Sequence, residues 1–411
     1  MMNLARGGVV RFVLLLTATG CLSSDLSPTA EIAFDPTARF FVPRPDREAR
    51  EQIADLRAQS RGEDADLIQA MTAQPRAVWI TMPVPARARH LVSTIVEQAT
   101  RADRIPILVA YNIPGRDCAG LSAGGATNTA SYKEWVDAFA EGIGNGRALV
   151  IVEPDSLGLL PSECVENTGE FPFTDDARYR QLRYAVRRLG RQPRARVYLD
   201  GTHSHWLSVG DAASRLASAG ITNADGFSTN VSNYRWTEYE LKFGTWISKC
   251  IAFASNPDDG GWRLGRYDRC ADQYHSPLGD VDPDDIQTWR FTDEWYDANL
   301  GEAQATTHFV IDTSRNGRGP WQSEASYPDA QEWCNPPGRG VGPRPQAGTA
   351  IRLLDAFLWI KPPGESDGEC TRGLGPSGTT VDPEWDRVDP PAGEWFPEQA
   401  LQLAQLAQPE L

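Results

Sequence analysis

From residue 77 onward the chain repeats one rhythm, in which continuous apolar runs of strand length alternate with longer segments of helical period. The runs are AVWITM (77–82), IPILVAYNIPG (105–115), ALVIVEPDS (148–156), RVYLDGTH (196–203), FSTNVSNY (227–234), HFVIDTSRNG (308–317) and AFLWIKPPGESDG (356–368). A strand covered on both faces by helices is apolar without alternation, so these runs predict seven parallel strands joined by crossover helices. Helical patterns also precede them, in DREAREQIADLRAQ (46–59) and GEDADLIQAMTAQ (62–74).

The polar residues come after the apolar part of each run. Asp117, Asp155, Asp200 with His203, Asn230, Asp312, and then Lys361, Glu365 and Asp367 all follow this rule. In a parallel barrel every strand opens its C-terminal end on the same face, and that face carries the site. A doubly wound sheet also gathers loops at strand ends, but no Gly-rich phosphate fingerprint follows an early strand here. The expected fold is therefore α/β, a seven-stranded parallel β/α barrel forming a single domain over residues 46–411. Neither a long Ser/Thr/Pro linker nor a small aromatic-rich module marks a second domain.

Composition narrows the function. With 41% hydrophobic residues among 411, the chain buries a large core, and its net charge of −15 opposes any role on nucleic acid. Residues 1–20 read as a signal peptide, with Arg6 and Arg11 ahead of the apolar stretch Phe12 to Ala18. TATGCLSS places Cys21 after a small residue, as in the lipobox of bacterial lipoproteins; an ordinary cleaved secretory signal is the alternative. Residues 21–45 form a tether. The chain is expected to be exported, meeting the membrane only through a lipid on Cys21.

Of seven cysteines, lipidation of Cys21 leaves six for disulfides in an oxidising compartment. Order along the chain suggests Cys118 with Cys164, Cys250 with Cys270 and Cys334 with Cys370, among many connectivities. No C-x-x-C occurs and histidines number only five, so neither a metal nor a cofactor is expected. His203 and His205 alternate onto one strand face and could ligate a metal, but no third ligand is apparent.

A rim of acids with tryptophans nearby suggests acid and base chemistry on a sugar. One carboxyl protonates a glycosidic oxygen while another assists water, and indole faces stack on pyranose rings. Trp79, Trp206 and Trp333 are candidates for stacking, although most tryptophans serve as core. Asp155 with Ser156 could instead only cap the next helix.

YNIPGRDC (111–118), VIVEPDSL (150–157), YLDGTHSHW (198–206), TNVSNY (229–234), IDTSRNG (311–317), EWCNPPGRG (332–340) and LWIKPPGESDGEC (358–370) resemble, in the same order, the signatures of glycoside hydrolase family 6. The resemblance covers about residues 75 to 400. It implies an inverting β-1,4-glucanase of the cellulase type, whose catalytic domain is a distorted seven-stranded parallel β/α barrel (TIM-like), a monomer acting on β-1,4-glucan polysaccharide. Asp155 matches the catalytic acid and Asp117 the residue that tunes it. Asp367 matches a proposed base, with a water chain through Asp117 and Ser122 as the alternative. Tyr111 matches a tyrosine under the distorted sugar. Trp79, Asp200, His203, Trp206, Asn230, Trp333, Lys361 and Glu365 match substrate-binding positions, Asp200 serving binding and orientation. The family's disulfides support Cys118 with Cys164 and Cys334 with Cys370, which leaves Cys250 to Cys270.

Thr202 departs from a common glycine. Residues 256–297 form an insertion, read either as a solvated disulfide-pinned loop or as a wall beside the groove. The segment after Cys118 is short, as in open-cleft endoglucanases, whereas TRGLGPSGTTVDPEWDRVDPPAGEWF after Cys370 is long enough to fold over one end. Endo action is favoured over a cellobiohydrolase, and a non-catalytic glucan-binding lipoprotein is the rival of a different class.

Overall fold

The computed structural model describes residues 35–168, 172–257, 259–279, 282 and 284–411; the segment expected to be a signal peptide, and Cys21, lie outside them. Every apolar run becomes a strand: β1 (Val78–Ile80), β2 (Ile107–Ala110), β3 (Ala148–Val152), β4 (Ala195–Asp200), β5 (Gly226–Thr229), β6 (His308–Asp312) and β8 (Leu354–Leu358), with a two-residue β7 (Gln346–Ala347) ahead of the last. The order is β1-β2-β3-β4-β5-β6-β8-β7. Seven strands run parallel in sequence order, and β7 pairs antiparallel with β8 at the edge. β7 is too short for any periodicity to mark it.

Among the described residues no ladder joins β1 to β8. The seam is crossed instead by Ala77 N–H on Trp359 O (2.9 Å) and by Trp79 Nε1 on Ile360 O (2.8 Å). The barrel is thus distorted and opens at this seam.

Alternation within each strand produces two cores. Ile107, Val109, Leu149, Ile151, Tyr198, Val310, Ala356 and Leu358 share the barrel interior. Their neighbours Leu108, Ala110, Val150, Val152, Val197, Leu199 and Phe309 pack outward among helix residues such as Trp135, Phe139, Leu182 and Leu216. Both faces are dry, which accounts for the unbroken apolar runs. The predicted N-terminal helices form as Arg47–Ala58 and Gly62–Thr72, and Leu56, Ile68 and Met71 pack on Trp359 and Leu403. The folded part reaches ahead of residue 46. Phe40 is buried, and the backbone of Arg39 and Phe41 bonds to Ile105.

The disulfides join Cys118 to Cys164, Cys250 to Cys270 and Cys334 to Cys370.

Candidate active site

The loops leaving the C-terminal strand ends enclose a cleft of about 1040 Å³. The backbone is strained around it: Asp117, Cys118, Glu153, Asp155, Thr202, Asn230 and Ser232 all take positive φ. Non-glycine residues hold this conformation only where surrounding contacts compel it. Thr202, at φ 67°, is the β-branched extreme, standing where the sequence departs from glycine.

Those contacts are largely buried carboxylates gripping backbone N–H groups. Glu153, fully buried one residue past β3, accepts from Asn112 N (2.9 Å) and Ile113 N (2.9 Å) and so fixes the end of β2. Burial pushes Glu153 up to about 7 against those bonds. Asp312, at the tip of β6, accepts from the N–H groups of Ser232, Ser314, Ile360 and Lys361, tying together the loops after β5, β6 and β8. Buried Arg178 does the converse, donating to the carbonyls of Pro114, Ser156 and Leu159.

On this frame the cleft is lined by Asp155, Asp117, Ser122, Tyr111, Trp79, His203, Trp206, Trp333, Lys361, Glu365 and Asp367. Asp155 caps no helix; a turn follows it and the next helix starts at Pro161. Its N–H donates to Asp200 Oδ2 (2.8 Å). Burial first, then the nearby carboxyls of Asp200, Asp117 and Asp367, push the Asp155 carboxyl well above the usual range, with Lys361 opposing. Burial also raises Asp117, against the Ser122 N–H at 2.6 Å and the Arg116 guanidinium. Arg116 shapes that short loop, donating to Tyr111 O and Ser122 O while lying 4.5 Å over the Tyr111 ring.

Asp367 is the opposite case. Burial would raise it, but the buried Arg315 (2.9 Å) and Lys361 (3.7 Å) hold it below the usual carboxylate range. Tyr234 O–H (3.2 Å) and Asn335 N–H (3.0 Å) also donate to its Oδ2.

Two predicted binding residues do not line the cleft. Asp200 is 1% exposed and serves the Asp155 backbone. Asn230 is fully buried, its Nδ2 donating to Asp312 O (2.9 Å) and its Oδ1 accepting from Arg235 N (3.0 Å). Both therefore shape loops. His203 and His205 stand on the turn after β4 instead of along a strand, and His203 Nδ1 accepts from His205 N–H (3.2 Å). Among the described residues one grouping of metal-type ligands occurs, Cys370 with Asp382 and Asp389, and its sulfur is in a disulfide.

Of the 256–297 insertion no described residue lines the cleft. Asp284 instead lies within 3.6 Å of Arg235 and 3.7 Å of His205, two cleft residues. Pro391, Ala392 and Gly393, from the long segment after Cys370, do reach the cleft. The sequence reading missed Glu153, Arg178, Arg315 and Asn335. A charged residue next to an otherwise apolar strand end was the available signal for Glu153 in VIVEPDSL.

An open parallel barrel with acids of divergent proton affinity and tryptophans at its C-terminal rim is the arrangement of a carbohydrate-cleaving hydrolase. The chain belongs to the glycosyl hydrolases family 6, whose model matches residues 36–407. It is 33% identical over 373 residues to endoglucanase A of Cellulomonas fimi, covering 90% of this chain and 62% of that protein. It is 29% identical to a probable 1,4-β-D-glucan cellobiohydrolase C of Aspergillus fumigatus, over 83% of this chain and 70% of the relative. The endoglucanase Cel6 from Mycobacterium tuberculosis, solved with methyl-cellobiosyl-4-deoxy-4-thio-β-D-cellobioside, superimposes with a TM-score of 0.64 at 32% identity, over 90% of this chain and 97% of that one.

Proposed function

We propose that this chain is an inverting endo-β-1,4-glucanase whose proton donor is Asp155. The observation carrying this reading is a carboxyl pushed well above its ordinary range on the wall of a cleft that also presents Trp79, Trp206 and Trp333. Such a carboxyl keeps its proton until the glycosidic oxygen needs it. As the C–O bond breaks, Asp155 passes the proton to the leaving oxygen and positive charge develops on the sugar. Water then attacks from the opposite face and gives up a proton. Asp367, already neutralised by Arg315 and Lys361 and held low, is a weak base; its charge suits electrostatic support of the oxocarbenium-like state. Asp117, raised and bound to the Ser122 backbone, favours the water chain through Asp117 and Ser122 as the proton's exit. Tyr111 lies against Trp79, ring centres 5.0 Å apart, where it supports the strained sugar. His203, Lys361 and Glu365 bind hydroxyls. Asp200 and Asn230 contribute by holding the backbone of that wall. Neither a metal nor a cofactor is required.

Exo action is the second reading, favoured by one observation: Pro391–Gly393, from the long segment after Cys370, line part of the cleft. Carboxymethyl cellulose viscosity followed against new reducing ends separates the two, with Asp155→Ala as control. A steep viscosity loss for few ends supports endo action; slow loss with cellobiose accumulating supports a cellobiohydrolase. No product from any β-1,4-glucan would leave the non-catalytic glucan-binding alternative. The anomer released first, read by NMR, tests inversion. Export fits three disulfides, and a lipid on Cys21 predicts that Cys21→Ala leaves the membrane fraction.

A further inference from the structure

Behind Asp367, out of reach of the cleft, Asn335 is fully buried at φ 42° beside the Cys334–Cys370 disulfide. It grips Asp367 twice: its N–H donates to the carboxylate Oδ2 (3.0 Å), and its Oδ1 accepts the Asp367 N–H (2.8 Å). Its Nδ2 spans the same loop on both sides, to Ser366 Oγ (3.0 Å) and Gly368 O (2.9 Å), and also reaches Asp389 Oδ2 (2.8 Å). Asp389 belongs to the segment that ends in the cleft-lining Pro391–Gly393. That segment pairs with the Asp367 loop directly, through Gly393 N–H on Ser366 O (2.9 Å) and Ser366 N–H on Glu394 O (2.8 Å). Trp385 Nε1 completes the shell on Asn335 O (2.7 Å). Longer contacts at 3.4 Å come from Gln399 Nε2 to its Oδ1 and from Arg372 to its carbonyl. A residue whose shortest bonds all go to one loop and one strap is built for placement, since even a small displacement of a group that acts on the transition state lowers the rate steeply.

We propose that Asn335 is a positioning residue for the hydrolysis, fixing the Asp367 carboxylate and coupling it to the strap that carries Asp389. The proposal rests on the reading that Asp367 serves the transition state. Its consequence is that Asp389, which has no contact with the cleft, acts on turnover through Asn335.

The experiment measures kcat and KM on a soluble cello-oligosaccharide for the intact enzyme, Asn335→Ala, Asp367→Ala, the double variant and Asp389→Ala. Asn335→Ala is expected to lower kcat about tenfold or more, KM staying within about twofold, because only a transition-state interaction is lost. In the Asp367→Ala background the same change should cost nothing further, since the group it positions is gone. A purely structural role would instead multiply the two losses, and that result overturns the proposal. So does a kcat within about twofold of the intact enzyme in both Asn335→Ala and Asp389→Ala. Asp389→Ala, expected to lose about threefold in kcat, decides the matter if Asn335→Ala does not fold. Full activity in Asp367→Ala would overturn the reading beneath the proposal and the proposal with it, whereas loss there without loss in Asn335→Ala removes the proposal alone.

Discussion

If Asp155 supplies the proton, its removal should matter only where a proton is needed. A positioned general acid contributes about 10²- to 10⁴-fold, or about 3–6 kcal/mol of barrier at about 1.4 kcal/mol per tenfold. Asp155→Ala should therefore lose that factor on cello-oligosaccharides, whose leaving sugar oxygen cannot depart unprotonated. On a dinitrophenyl cello-oligosaccharide the leaving phenolate needs no proton, and the loss should shrink to about tenfold or less. The pH profile gives a second readout. The acid must be protonated, so activity falls as pH rises through the raised Asp155 value; that limb should vanish in Asp155→Ala. Since Asp200 and Asp117 are among the carboxyls pushing Asp155 up, Asp117→Asn should move the limb to lower pH. Equal losses on both substrates, or an alkaline limb unchanged in Asp155→Ala, would refute the assignment.

Stability should fall as pH rises. Glu240, buried with the Ser204 N–H at 3.0 Å, is pushed from 4.5 up to about 7 by burial. Its folded form keeps a proton the unfolded chain has lost, so its contribution is whole below 4.5 and disappears as pH climbs to about 7. Glu240→Gln should lose less stability than the parent between mildly acid and neutral pH in urea titrations. Buried Arg372 binds both Asp382 oxygens (3.0 and 2.6 Å) and the carbonyl of Cys334 (2.8 Å). Arg372→Met strands that carboxylate and should cost about 3–5 kcal/mol, most of it recovered by adding Asp382→Leu. At Gly158 a Cβ would lie 2.5 Å from the Trp206 ring. Gly158→Ala should displace that indole and lower kcat/KM roughly threefold to tenfold, as expected for a lost stacking contact of about 0.5–1.5 kcal/mol.

Strand positions were legible because burial on both faces leaves no choice of residue: each apolar run became a parallel strand, with Ile80, Ala110, Val152, Leu199, Phe227 and Phe309 aligned in one row of partners. The acids at the strand tips were legible for the same reason, since a carboxylate ending an apolar run can only face the rim or a backbone. Which of those two it faces was not legible. Asp155 and Asp200 end consecutive strands in similar words, VEPDS and YLDGT, yet one lines the cleft while the other binds the first one's N–H. Asn230 turned inward likewise, because the loop it closes lies between Asp312 and Arg235, far apart in sequence from one another. Deciding between rim and backbone needs the register between strands, and the register is set by contacts separated by tens to hundreds of residues. The same distance hid Arg315, which pairs with Asp367 across 52 positions, although it stands within the recognisable stretch IDTSRNG. The site is accordingly two layers: an outer one of residue types that chemistry makes recognisable, and a buried one of Glu153, Asp312, Arg315 and Asn335 that holds the outer layer in strained backbone and, through Arg315 and Asn335, keeps the Asp367 carboxyl low. Substitutions in the second layer should thus alter pH dependence and kcat while leaving the cleft surface, and the KM it governs, nearly untouched.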